Sequence, residues 1–429
     1  MPGARPDRNS GAGLPREVPL PPSGEITLVV AQSPRYFPHV ERHLQSLKKV
    51  FAQVRLLYWE KDPAEPLYVS PDVACERVVL PFGARGAPFF LRLLGGFYAR
   101  LDELRPANIE AIDPYALIPA RAYALRTRLR GTRVRIAYFS MEYFSRMPSL
   151  RDKPWKRFAW RQLELWGAAG ASAAATVCDS IAVHLSRDFR MPVITVRSLP
   201  WRVPEAVGAT GQARQEMASA GEHRDGIRLG LHARCGVPEK TAIAIYQGML
   251  EPGRGLETAV RAMAAVPALH FAVIGSGPLR EPLRALAQSA GCAGRVHILG
   301  EVDFRDLAIL TRSACAGLVP VQPLSASYLY SLPGKLFEYI QAGVPVIATS
   351  LPEILNVVDG YGVGICLPEY TPETLADALR RLLDDGSFRQ SLRANLARAS
   401  AELCWEAEEA AYLSLYRGQP RPVKPAIAS

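Results

Sequence analysis

SLPGKLFEYIQAGVPVIAT, residues 331–349, reads as a corner, a helix, a stop and a buried strand in succession. Pro333 and Gly334 turn the chain into a helix, Gly343 closes it after Ala342, and VPVIA (344–348) is an apolar, β-branched run. A helix feeding directly into such a strand is part of a parallel α/β layer, because parallel strands need crossover connections. Lys335 and Glu338 lie at the helix start, among Leu336, Phe337, Tyr339 and Ile340. As an i, i+3 ion pair they are worth about 0.2–0.5 kcal/mol. That reading explains the charges but not their apolar surroundings, where a partly buried Glu needs a partner. The other reading has the helix amides and Lys335 facing a diphosphate, with Glu338 accepting both hydroxyl hydrogens of a vicinal diol such as a ribose.

The same alternation runs through the chain. Candidate strands are 25–31, 54–58, 76–80, 108–112, 134–138 and 193–196 in the first half, and 242–246, 270–274, 296–299, 316–320, 344–348 and 364–367 in the second. Helical patterns separate them, so the fold class is α/β: two Rossmann-like, doubly wound domains facing across a cleft. The Pro/Gly/Arg-rich segment 1–24 reads as a disordered leader and the weakly periodic 204–226 as a linker. The N-terminal domain is then 25–203, the C-terminal domain 227–385, with one long or two short helices at 386–417 and a tail at 418–429. Thr371 and Pro372 mark a helix start whose Leu375, Leu379, Leu382 and Leu383 share a face.

Composition narrows the partners. The 429 residues carry a formal charge of +10, spread rather than blocked, which favours anionic ligands but no nucleic-acid tail. Seven scattered cysteines without a CxxC fit a reducing cytoplasm and no zinc site. HVERH (39–43) pairs two histidines at i, i+4 but offers no third ligand, so no metal is expected. There is no apolar window of spanning length. RDKPWKRFAWRQLELW (151–166) mixes Arg and Lys with Trp155, Phe158, Trp160 and Trp166. It reads either as an ordinary helix with its aromatics packed inward or as a peripheral contact with the inner face of a membrane.

In open α/β sheets ligands lie beyond the carboxyl ends of strands. After 242–246 come Gly248 and Gly253-Arg254-Gly255, where backbone amides can approach an anion and Arg254 adds a bidentate donor. After 270–274 comes GSGPL, with Gly275 and Gly277. Arg280 stands where the third glycine of a dinucleotide fingerprint belongs, so NAD is disfavoured. Two acids follow strand ends in the first half, Asp113 and Glu142. Asp113 is equally readable as a helix N-cap, since Pro114 follows it.

The order YQGMLEPGRGLETAVRAM, FAVIGSGPL, GRVHILGEV and SLPGKLFEYIQAGVPVIATSLPEI resembles the donor half of retaining glycosyltransferases of the GT-B fold, family 4, over about residues 240–385. The resemblance implies that the C-terminal domain binds a nucleotide-sugar, with Arg254 and Lys335 on the diphosphate and Glu338 on the ribose. It implies an N-terminal acceptor domain for a sugar, lipid-linked or small-molecule acceptor, a final segment crossing back to that domain, and no metal or other cofactor. Four positions depart from the family pattern: Tyr330 replaces the first Glu of the Glu-x7-Glu motif, Ile112 stands where many members have His, QSPRYF (32–37) replaces a Gly-rich loop, and Met249 follows Gly248. With Tyr330 there, Ser327 or Ser331 is the alternative contact to the donor sugar. The expected activity is sugar transfer with retention, Asp113 and Glu142 facing the reacting groups. The alternatives are a nucleotide-sugar epimerase or hydrolase on the same fold, or a non-catalytic binding partner.

Overall fold

The computed structural model describes residues 24–81, 86–202 and 230–417. The linker expected at 204–226, the tail at 418–429 and all of the leader but Gly24 lie outside the described residues. β1 (Glu25–Val30), β2 (Gln53–Glu60), β3 (Val73–Val79), β4 (Asn108–Ile112), β5 (Arg135–Ser140), β6 (Ala173–Thr176) and β7 (Val193–Thr195) form one sheet in the order β3-β2-β1-β4-β5-β6-β7. β8 (Ala242–Gln247), β9 (Leu269–Ile274), β10 (Val296–Gly300), β11 (Ala316–Val319), β12 (Val346–Thr349) and β13 (Gly364–Leu367) form a second, β10-β9-β8-β11-β12-β13. Every pairing in both is parallel. These are the two doubly wound domains that the alternation of apolar runs and helices predicts.

Chain order reverses at β1/β4 in the first sheet and at β8/β11 in the second. Such switch points open a crevice at the strands' carboxyl ends. The segments after β1, β4, β5, β8 and β11 therefore supply the functional side chains below. β6 is a strand that sequence reading does not supply. Its AAAT has little β propensity, and pairing with β5 and β7 in the buried sheet overrides that preference.

Local signals hold at the helices. Thr371 caps Pro372–Asp384 by accepting from the Thr374 amide at 3.2 Å, and Leu375, Leu379 and Leu382 are buried. Gly334–Gln341 ends with Ala342 as its cap and Gly343 in the left-handed region at φ 71°.

The segment expected as one crossing unit at 386–417 divides. Gly386–Glu402 stays on the C-terminal domain, turning Leu392, Leu396 and Ala399 inward. Only Trp405–Arg417 crosses back, onto the helix Pro38–Leu47 and β6. The division follows the aromatics. Trp405 is fully buried and its indole donates to Ser46 Oγ at 2.9 Å. Tyr412 and Tyr416 both donate to Glu110 Oε2 on β4, and His43 Nδ1 meets Glu110 Oε1 at 2.6 Å. A buried carboxylate with this many partners is satisfied, and the crossing helix is what satisfies it.

Candidate active site

One cavity of about 290 Å³ lies between the two domains. Of the residues singled out from the sequence, Asp113, Glu142, Gly248, Arg254, Gly334, Lys335 and Glu338 all line it. Gly275 and Gly277 do not. They serve its floor: a Cβ on Gly275 would stand 2.0 Å from the Gly248 carbonyl oxygen, so only glycine lets the turn after β9 pack on the turn after β8.

The C-terminal wall is cationic. Lys335 comes from the first turn of Gly334–Gln341, and that helix start lines the cavity. Its ammonium lies 3.7 Å from the centroid of the Tyr246 ring, and a Cβ on Gly248 would come within 2.9 Å of Nζ. Burial, aided by the nearby Arg254, holds the Lys335 pKa well below the ordinary lysine range. The Arg254 guanidinium stacks 4.4 Å from the Tyr328 ring centroid. No ion pair joins Lys335 to Glu338 among the described residues. Glu338 instead accepts from Gln247 Nε2, and Gln247 Oε1 accepts from Thr311 Oγ1 at 2.9 Å. Burial raises the Glu338 pKa, opposed mainly by the charge of Arg42.

The N-terminal wall holds two acids, Asp113 and Glu142. Asp113 does not cap its helix by side chain. It is the first helical residue, at φ 62°, and its Oδ1 accepts from the Met141 amide at 2.8 Å. A non-glycine residue in this region costs about 1 kcal/mol or more, and such outliers gather at functional sites. Burial first, and then the charge of Glu142, push the Asp113 pKa up to about 7. Burial likewise raises that of Glu142, with Arg254 and Ser327 acting against it.

Sequence reading passed over Arg42, His39, Gln32 and Gln247. The only signal was the HVERH run, read there for metal: its His39 and Arg42 face the cavity, while His43 turns to Glu110. Among the described residues, no group of three or more His, Cys, Asp or Glu could hold a metal ion. Tyr330 does not line the cavity. Its ring packs 5.1 Å from that of His184 and its carbonyl accepts from Cys178, whereas Ser327 and Ser331 do line the cavity.

Five buried polar atoms at this one cavity have no hydrogen-bond partner among the described residues: Gln32 Oε1, His39 Nε2, Arg42 Nε, Glu142 Oε2 and Arg254 Nε. Buried polar groups are almost always paired, so their convergence marks a surface shaped for a polar ligand.

Residues 231–399 match the glycosyl transferases group 1 family. A D-inositol 3-phosphate glycosyltransferase of Nocardioides sp. is 28% identical over 227 residues, 48% of each chain. An alpha-D-kanosaminyltransferase of Streptomyces kanamyceticus is 23% identical over 278 residues, 64% of this chain and 67% of that protein. The chain spans about half the length of the first of these relatives. Among solved structures, sucrose-phosphate synthase from Thermosynechococcus elongatus superposes with a TM-score of 0.67 at 18% identity, over 92% of this chain and 99% of that one. Anabaena HepE in complex with UDP and glucose superposes with a TM-score of 0.64 at 12% identity, over 92% and 99%. At these identities the structural likeness concerns the fold.

Proposed function

We propose, on the match of residues 231–399 to the glycosyl transferases group 1 family, that this chain transfers a sugar, with retention, from a nucleoside diphosphate-sugar to an acceptor hydroxyl. The observation that carries the reading is the set of unpartnered buried polar atoms at one cavity between the domains, where Arg254 and Lys335 face Asp113 and Glu142. Arg254, Lys335 and the amides at Gly334 would hold the diphosphate. These groups stabilise the charge that grows on it as the bond from the sugar's anomeric carbon to phosphate oxygen breaks. Arg254, joined by Lys335 as the entering diphosphate favours its ammonium form, would supply this stabilisation. Glu338, kept oriented by Gln247, would take the ribose hydroxyls.

Retention follows if the acceptor oxygen attacks from the face the diphosphate leaves. The acceptor's proton then passes to the departing phosphate oxygen while the new glycosidic bond forms. Asp113 and Glu142 would position the sugar and acceptor hydroxyls. Glu142, beside Arg254 and Ser327, sits nearer the donor, and Asp113 is left for the acceptor side. Walls drawn from two domains exclude water when they meet, which favours transfer over hydrolysis.

The test is a thermal-shift panel of UDP, GDP, ADP, dTDP and NAD on wild type and Glu338→Ala. UDP comes first, being the nucleotide bound by the Anabaena relative in fold. A ligand at about 100 times its Kd adds about 2.7 kcal/mol. Stabilisation by one nucleotide that is lost in Glu338→Ala supports the donor site. Absence of any shift overturns it. Product analysis with that donor separates transfer from epimerisation or hydrolysis.

A further inference from the structure

The helix Pro154–Ala168 turns its aromatic stripe outward. Trp155, Phe158, Leu163 and Trp166 recur at helical spacing on one face, and they are 69%, 64%, 41% and 40% exposed. The opposite face meets the protein with Gly167, Ala168 and buried Glu164, whose Oε1 accepts from Tyr138 Oη at 2.7 Å. Of the aromatics in this helix only Trp160 packs inward, against Phe90, Tyr115 and Phe144. A surface helix normally buries its apolar stripe, so the inward-packing reading of 151–166 holds for Trp160 alone.

Charge surrounds the stripe. Lys153, Lys156 and Arg157 form no ion pair among the described residues, and the Lys156 ammonium lies 5.3 Å from the centroid of the Trp155 ring. Arg151 and Arg161 pair with Asp152 and Asp188. Aromatics framed by uncompensated cations are the pattern of a helix lying in the headgroup region of a bilayer. A second copy of the chain fits less well, since a two-fold contact would bring the same cations face to face. No helix among the described residues is long and apolar enough to cross a membrane, so the contact is peripheral.

We propose that the outer face of Pro154–Ala168 docks this chain on an anionic lipid bilayer. The helix is reached directly from Glu142 through residues 143–153, and Trp160 packs on Tyr115, two residues beyond Asp113. Docking therefore brings the domain that carries Asp113 and Glu142 to the lipid surface. On the reading of that cavity as a glycosyl-transfer site, the acceptor is a membrane-borne hydroxyl compound.

The experiment is sedimentation of the full chain with vesicles of phosphatidylcholine alone and of phosphatidylcholine mixed with phosphatidylglycerol. Two double variants are compared, Trp155→Ser with Phe158→Ser, and Lys153→Glu with Lys156→Glu. All the substituted side chains are exposed or half-exposed, and thermal melting checks that each variant folds. The expected result is binding to the mixed vesicles only, reduced about tenfold or more by either variant. No binding, or equal binding to neutral vesicles, overturns the proposal. Self-association that the Trp155/Phe158 variant abolishes, without vesicle binding, overturns it in favour of a homodimer. The nucleotide shift is read separately: vesicle binding without it leaves docking supported and the transferase reading refuted.

Discussion

Arg42 of the N-terminal domain and Glu338 of the C-terminal domain together divide the main cavity from a second one of about 170 Å³, lined by Pro200, Trp201, Phe304 and Leu307. The two charges are opposite, and each opposes the pKa shift that burial imposes on the other. Ser198 Oγ accepts from the Arg42 guanidinium at 2.9 Å, and burial lowers the Arg42 pKa to about 10.

Arg42→Met removes the main charge that opposes burial of the Glu338 carboxylate, so the Glu338 pKa climbs further. A protonated Glu338 cannot accept from two hydroxyls. Nucleotide affinity is expected to fall by up to about tenfold relative to wild type in acidic buffer. The deficit shrinks as pH rises and Glu338 ionises again. Calorimetric titration of both proteins across that range checks it; a deficit independent of pH would place the effect elsewhere.

Nucleotide binding should take up a proton. The Lys335 pKa is held well below its usual range by burial and by Arg254, and an entering diphosphate reverses that by favouring the ammonium. Affinity then decreases as pH rises above the depressed value. Heats measured in buffers of different ionisation enthalpy report the uptake, which Lys335→Met abolishes.

Asp113→Asn is expected to lose most activity and gain stability in alkaline buffer. With a folded-state pKa raised to about 7, Asp113 is bound to its proton more tightly folded than unfolded. Stability therefore falls as pH climbs from about 4 towards 7, then levels. At pH 8 the Asn variant, which keeps an acceptor for the Met141 amide and tolerates the left-handed backbone, should be more stable by about 1–3 kcal/mol. Denaturant melts at pH 8 and near pH 4 test this, the difference vanishing at the lower value.

Two glycines should part company. Gly275→Ala drives a methyl into the Gly248 carbonyl at φ 137° and is expected to cost about 3 kcal/mol. Gly334→Ala meets nothing nearer than the Ser198 carbonyl at 3.7 Å, so stability should move by no more than about 0.5 kcal/mol. Its methyl enters the cavity, however, and weaker nucleotide binding with an unchanged Tm would place the diphosphate against that helix start.

What the sequence discloses depends on whether a residue's setting is local. Lys335 and Glu338 stand out because the apolar neighbours that bury them are adjacent in the chain. Strands declare themselves as β-branched runs, and β6 does not, because alanines become a strand only between two neighbours. Arg42 acquires its role from Ser198, 156 positions away, and from Glu338 in the other domain. Charges in an ordinary helical pattern say nothing of such partners. The outward turn of Trp155 and Phe158 is equally silent, since the same spacing would describe an inward stripe.

The chain leaves the N-terminal domain after β7 and returns to it at Trp405. The two passages lie side by side, with the Trp405 amide donating to the Pro200 carbonyl at 2.7 Å and the Arg202 amide to Glu406 at 3.0 Å. Two threads fastened together join the domains along one line. The Ser180 amide also donates to Glu353 at 2.7 Å, and Cys178 Sγ to the Tyr330 carbonyl at 3.0 Å, so the domains are tied at a second line as well. A molecule that touches both Asp113 and Lys335 adds a third tie, across the cavity itself.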